Sequence, residues 1–109
     1  MNHDETADAA DAVGPVLQAG AMARAIITAI RSLNDSVEVI DRGGYLRVLV
    51  PGRCVVTRQA LEEALGGPSC LPRDLEAVMS SYRGSFTVSE DLARWEARRA
   101  ARGGDASCR

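Results

Sequence analysis

Lysine is absent from this chain: all 13 basic residues are arginine. A nucleotide-composition bias in the source genome is sufficient explanation; the alternative is a use for bidentate guanidinium contacts at an interface. Histidine is almost absent too. His3 is the only one, and it precedes the first stretch with a buried period. That excludes histidine-based metal sites, Ser-His-Asp triads and most general acid–base schemes, and it leaves a cysteine nucleophile without a base. The three cysteines, Cys54, Cys70 and Cys108, are odd in number and lack CxxC spacing, so they fit neither a disulfide framework nor a zinc site. No GxGxxG or GxxxxGK[ST] loop occurs, and no pair of Glu-x-x-His motifs that a di-iron carboxylate site would need. The acidic pairs Glu62-Glu63 and Glu90-Asp91 are adjacent residues that point apart. The most apolar helical stretch, Ala21 to Ile30, is broken by Arg24 and is too short to span a bilayer. The acidic N-terminus shows no apolar core of a signal peptide, so a soluble, cytoplasmic protein is expected.

What is present points to one domain. The chain has 109 residues, 46% hydrophobic and 26% charged. Aromatics are 4%, namely Tyr45, Tyr82, Phe86 and Trp95, so the core must be aliphatic. A net charge of −2 gives no electrostatic reason to expect nucleic acid. Charge is uneven, however. Residues 1–12 carry Asp4, Glu5, Asp8 and Asp11 without an arginine, whereas from Arg94 onward five arginines face Glu96 and Asp105. These ends read as solvated segments: a disordered acidic one over 1–12 and a flexible Arg-rich one over 98–109, bounding a domain at 13–97. Cys54, in an apolar run, reads as a small buried hydrophobe.

The segment Ser36 to Gly52, SVEVIDRGGYLRVLVPG, predicts a hairpin. Val37, Val39 and Asp41 alternate with Glu38 and Ile40. Arg42-Gly43-Gly44 makes the turn, and Tyr45 to Val50 returns, interrupted only by Arg47. A lone hairpin is marginal in water and needs a helix or further strands on its apolar face. Val13 to Ala19 predicts a short strand, with Pro15 favouring a sheet edge. Gly20 opens a helix whose stripe is Met22, Ile26, Ile30 and Leu33, widened by Ala23, Ile27 and Ala29, a natural lid for the hairpin. Cys54 to Val56 is a brief strand, Thr57 caps the helix RQALEEAL, and Gly66-Gly67-Pro68 ends it. Pro72 to Asp74 suits a helical turn. Leu75 to Tyr82 fits either helix or alternating strand, Phe86 to Val88 a strand, and Asp91 to Ala101 has helix-forming composition with only Leu92 and Trp95 to bury. The fold class is α+β: two main helices packed on short, mostly antiparallel strands.

With catalytic constellations excluded, a protein that acts on another protein is the better expectation. The ordered set Val13-Gly14-Pro15-Val16, Gly20 with its Ile-rich helix, VEVIDRGGYLRV at 37–48, Thr57-Arg58 with LEEALG at 61–66, Leu75 to Gly84, and Phe86 to Trp95 resembles the effector, or coupling, proteins of bacterial multicomponent di-iron monooxygenases. The resemblance is nearest to the effectors of toluene monooxygenases. It implies a fold without cofactor or metal of its own and without catalytic residues. It implies a di-iron hydroxylase oligomer as partner, working with a Rieske-type ferredoxin and an NADH-dependent reductase, and a free monomer that tunes the hydroxylase active site. It also implies extended structure at Leu75–Tyr82 and Leu92–Trp95. Cys70 stands where the family pattern suggests a bulky apolar residue. Candidate interface residues are Val13, Pro15, Val16, Arg42, Gly43, Gly44, Tyr45 and Arg47. Two other readings stay open on the residues alone: an α+β adaptor or ligand-binding module unrelated to oxygenases, and a thiol enzyme using Cys54 or Cys70.

Overall fold

The computed structural model describes residues 11–97. The elements are β1 (Ala12–Gln18), α1 (Ala21–Leu33), β2 (Glu38–Asp41), β3 (Tyr45–Pro51), β4 (Arg53–Thr57), α2 (Arg58–Leu65), α3 (Arg73–Glu76), β5 (Met79–Arg83), β6 (Ser85–Val88) and β7 (Leu92–Glu96). The expectations for the acidic and Arg-rich ends lie outside the described residues, except that β1 already begins at Ala12.

The hairpin forms as its turn chemistry predicts, with Glu38 opposite Leu49 and Asp41 opposite Leu46. Only Gly43 adopts positive φ, at 88°, so one glycine rather than two meets the turn's conformational demand. The Asp41 carboxylate accepts from the Gly43 N–H at 2.8 Å. The Gly44 carbonyl accepts from the Ala19 N–H at 3.0 Å, which ties the turn to the end of β1.

The hairpin is completed by strands rather than by a helix. The first sheet runs β2-β3-β1-β5 and the second β4-β7-β6, with every neighbouring pair antiparallel. β1 is therefore an interior strand, and the edge position expected from Pro15 is corrected. A proline lacks a single N–H, so it forfeits one ladder bond at most. Here its ring is fully buried opposite Tyr82, and the β1–β5 register shifts just beyond it, between Val16 and Leu17. Gly14 is required for this placement: its φ is 148°, and a Cβ there would collide with the Val48 carbonyl oxygen.

Val13, Leu17, Val48 and Val50 face inward and join Cys54, Val56, Ala93 and Trp95 of the second sheet. α1 and α2 pack on each other and on β4, closing this core. The α1 stripe is Ala23, Ile26, Ile27 and Ile30; Leu33, expected within it, is 45% exposed in the last turn. Thr57 caps α2, accepting from the Ala60 N–H at 3.1 Å, and Gly66 ends it in the left-handed region at φ 78°.

Two ambiguous stretches resolve in opposite ways. Leu75–Val78 is not strand: Leu75 belongs to the one-turn α3 and is fully buried, and extended structure begins at Met79. Leu92–Glu96 is strand despite its helical composition, because alternation buries Ala93 and Trp95 completely while Glu96 faces out. Tertiary burial of one tryptophan outweighs a propensity difference of a few tenths of a kcal/mol per residue. Among the described residues no helix is long and apolar enough to cross a membrane.

Candidate docking surface

Side chains alternate across the first sheet, so its register lays out the outer face as a grid. One row reads Glu38, Leu49, Gly14, Arg83, and the next reads Ile40, Arg47, Val16, Ser81. Tyr45 lies beyond them opposite Gln18. Tyr45 is 43% exposed, while Arg47, Val16 and Ile40 are half-buried by one another. Val16, Tyr45, Arg47, Ser80 and Ser81 line a shallow groove of about 280 Å³.

The ion pairs among the described residues lie elsewhere, Arg58–Asp91 at 3.5 Å and Arg94–Glu96 at 3.8 Å. Arg47 therefore sits in a mostly apolar row with no carboxylate of the described domain within 4.0 Å. An exposed tyrosine beside a guanidinium, on a rigid sheet, is the chemistry that concentrates binding energy at protein interfaces.

Of the eight candidate interface residues, the structure brings Val16, Tyr45 and Arg47 together around this groove. Arg42, Gly43 and Gly44 are exposed at the turn beside Tyr45. Val13 and Pro15 are different. Both are almost fully buried on the inner face of β1, so their side chains offer no surface to a partner. The position of Pro15 follows from the strand's alternation once β1 is interior. Ile40, Ser80 and Ser81 belong to the face but were not among the expected residues. Alternation in β2 already put Ile40 opposite Val39, whereas Ser80 and Ser81 arrive only through the pairing of β5 with β1, a contact across more than sixty residues that no local pattern encodes.

The two described thiols differ in exposure. Cys54 is fully buried, and desolvation pushes its thiol up to about 12. Cys70 is exposed beside an open cavity of about 520 Å³ that Arg58, Arg73, Glu76 and Glu90 also line. Its N–H donates to the Asp74 carboxylate at 2.8 Å, which holds the loop entering α3. Among the described residues no three His, Cys, Asp or Glu side chains gather to hold a metal ion.

Comparison with known proteins agrees with this architecture. The model of the MmoB/DmpM family matches residues 11–96. The effector subunit of the alkene monooxygenase system of Xanthobacter autotrophicus is 41% identical over 85 residues, covering 76% of this chain and 83% of that protein. A chain of a phenol hydroxylase–regulatory protein complex superposes with a TM-score of 0.70 at 21% identity, over 78% of this chain and 95% of that one. The regulatory protein B of soluble methane monooxygenase does so with a TM-score of 0.64 at 20% identity, over 92% of this chain and 74% of that one. The chain belongs to the MmoB/DmpM family. It is an effector, or regulatory, subunit of a multicomponent monooxygenase.

Proposed function

We propose that this chain is a non-catalytic effector that docks on a di-iron hydroxylase through the outer face of the β2-β3-β1-β5 sheet. The family match over residues 11–96 carries the reading, because it spans the whole described domain rather than one motif. Tyr45 and Arg47 are the anchors. Val16, Ile40 and Ser81 form the floor, and Arg42 at the turn is a rim contact. The glycines Gly43 and Gly44 keep the turn low beside Tyr45. The alkene system is the first partner to test, since its effector shares 41% identity with this chain, and a toluene system is the second. The ferredoxin and the reductase act on the same hydroxylase and supply its electrons; the effector carries none. Free in the cytoplasm it is a monomer, in keeping with the few exposed large apolar side chains of the described residues, Leu33, Tyr45 and Tyr82.

An effector that shifts a hydroxylase between states must bind one state more tightly than the other. Truncating an anchor therefore weakens both binding and stimulation. Tyr45→Ala and Arg47→Ala are each expected to raise the concentration of half-maximal stimulation by about 10- to 100-fold, the range of interface anchors, with unfolding midpoints near wild type. Glu63→Ala on the exposed side of α2 is the control. If Tyr45→Ala and Arg47→Ala behave like that control, the docking face lies elsewhere.

A further inference from the structure

The outer face of the first sheet carries an excess of positive charge on a chain whose net charge is −2. Its two rows hold Arg47 and Arg83 against Glu38, and Arg42 stands at the turn beside Tyr45. Glu38 and Arg83 occupy opposite ends of one row, with Leu49 and Gly14 between them, so neither neutralises the other. Glu38 is diagonal to Arg47 across β2 and β3 and makes no ion pair with it.

Arg47 is the charge that a docked partner would cover most completely. It lies at the middle of its row, half-buried, with Ile40 opposite on one side and Val16 opposite on the other. Along β3 its neighbours on the same face are Tyr45 and Leu49, and the Tyr45 ring walls the groove beside it. An apolar surface laid over this row would strip water from a guanidinium with five N–H donors and no counter-ion in the described domain. A buried charge is tolerated when it is paired and hydrogen-bonded. The planar fork of arginine is matched best by a carboxylate, which takes two parallel N–H bonds.

We infer that Arg47 pairs with a carboxylate of the partner, an Asp or Glu side chain that enters the groove between Tyr45 and Val16. The inference rests on the docking face proposed above and adds the chemistry of the group that meets it. Arg42 and Arg83 are exposed on either side of this point, so they favour approach of an acidic surface, while Arg47 forms the desolvated pair. An acidic hydroxylase surface is thereby preferred to a neutral one of the same shape.

The test measures binding of the full chain to the cognate di-iron hydroxylase by isothermal titration calorimetry. Arg47→Met keeps the apolar stem and removes only the charged fork. At about 20 mM salt it should raise Kd about 10-fold, and Arg47→Glu about 100-fold or more, with Arg47→Lys between wild type and Arg47→Met. At about 500 mM salt, where the screening length is near 4 Å, the gap between Arg47→Glu and Arg47→Met narrows. Unfolding midpoints stay near wild type throughout, because Arg47 has no ion pair in the described domain to lose. If Arg47→Glu binds no more weakly than Arg47→Met, or Arg47→Met binds like wild type, no carboxylate faces Arg47. Tyr45→Ala separates the two levels of the account. Weakened binding there with a flat Arg47 series overturns this pairing alone, whereas wild-type binding by Tyr45→Ala and by every Arg47 variant overturns the docking face itself.

Discussion

Gly14 shows how much one residue decides. It stands where β1 crosses β3 too closely for any side chain, at a φ of 148°. Gly14→Ala is expected to destabilise the domain by about 3 kcal/mol or more, since both the strain and the collision with a backbone carbonyl must be relieved by moving a central strand. Gly43→Ala meets open space and bears only the left-handed conformation, so about 1 kcal/mol is expected there. Denaturant unfolding of the two variants separates these cases; equal losses would contradict the close-approach account. Cys54 supplies a pH signature. Its folded-state thiol is held near 12 against 9.0 for the ordinary group, so between those values the unfolded chain has lost a proton that the folded chain keeps. Stability therefore falls as pH rises through this window, by about 1.4 kcal/mol per pH unit from this group. A Cys54→Ala variant, less stable at neutral pH from the cavity it leaves, should show a flatter decline from pH 9 to 12. Parallel curves would remove Cys54 as the source.

Among the elements, what the sequence made legible was local. The hairpin, the Thr57 cap and the Gly66 stop all rest on signals within a few residues, and each is present; of the expected α1 stripe Ile26 and Ile30 are buried, Met22 is half-buried and Leu33 is exposed. β7 was legible only through the family resemblance, because the composition of Leu92 to Glu96 favours helix and the burial of Trp95 that overrides it comes from distant partners. Trp95 stacks on Phe86 with centroids 5.2 Å apart, and Phe86 meets Tyr82 at 5.1 Å, an aromatic row built by three separate segments. The join between α1 and β4 was not legible at all. Asn34, the residue that follows α1, donates to the Ile30 and Val55 carbonyls at 2.7 and 2.8 Å and accepts from the Val55 N–H at 3.1 Å. Its amide thus pairs with the free edge of β4 as a neighbouring strand would. Asn34→Ala should cost about 2–4 kcal/mol, three bonds plus unpaired edge groups, and Asn34→Asp should be nearly as damaging because it cannot donate. A loss under about 0.5 kcal/mol by thermal or denaturant unfolding would show that water replaces the side chain at no penalty.

At the scale of the whole molecule, the candidate site was half legible. Tyr45, Arg47 and Arg42 stood out as an aromatic and cations interrupting an apolar hairpin, and the structure leaves all three on accessible surface. Val13 and Pro15 were misplaced because the sequence cannot say that β1 is interior, and it is that non-local pairing which turns them inward and delivers Ser80 and Ser81 to the face. The resulting arrangement is simple: a core between two sheets supports the outer face of the first sheet. The most direct measurement is steady-state turnover by the cognate hydroxylase, with its ferredoxin, reductase and NADH, as this protein is titrated in. The account predicts a rise in product formed per NADH consumed that saturates at a fixed ratio of effector to active sites. Product yield unchanged across the titration, with no complex detected between the two proteins, would contradict it.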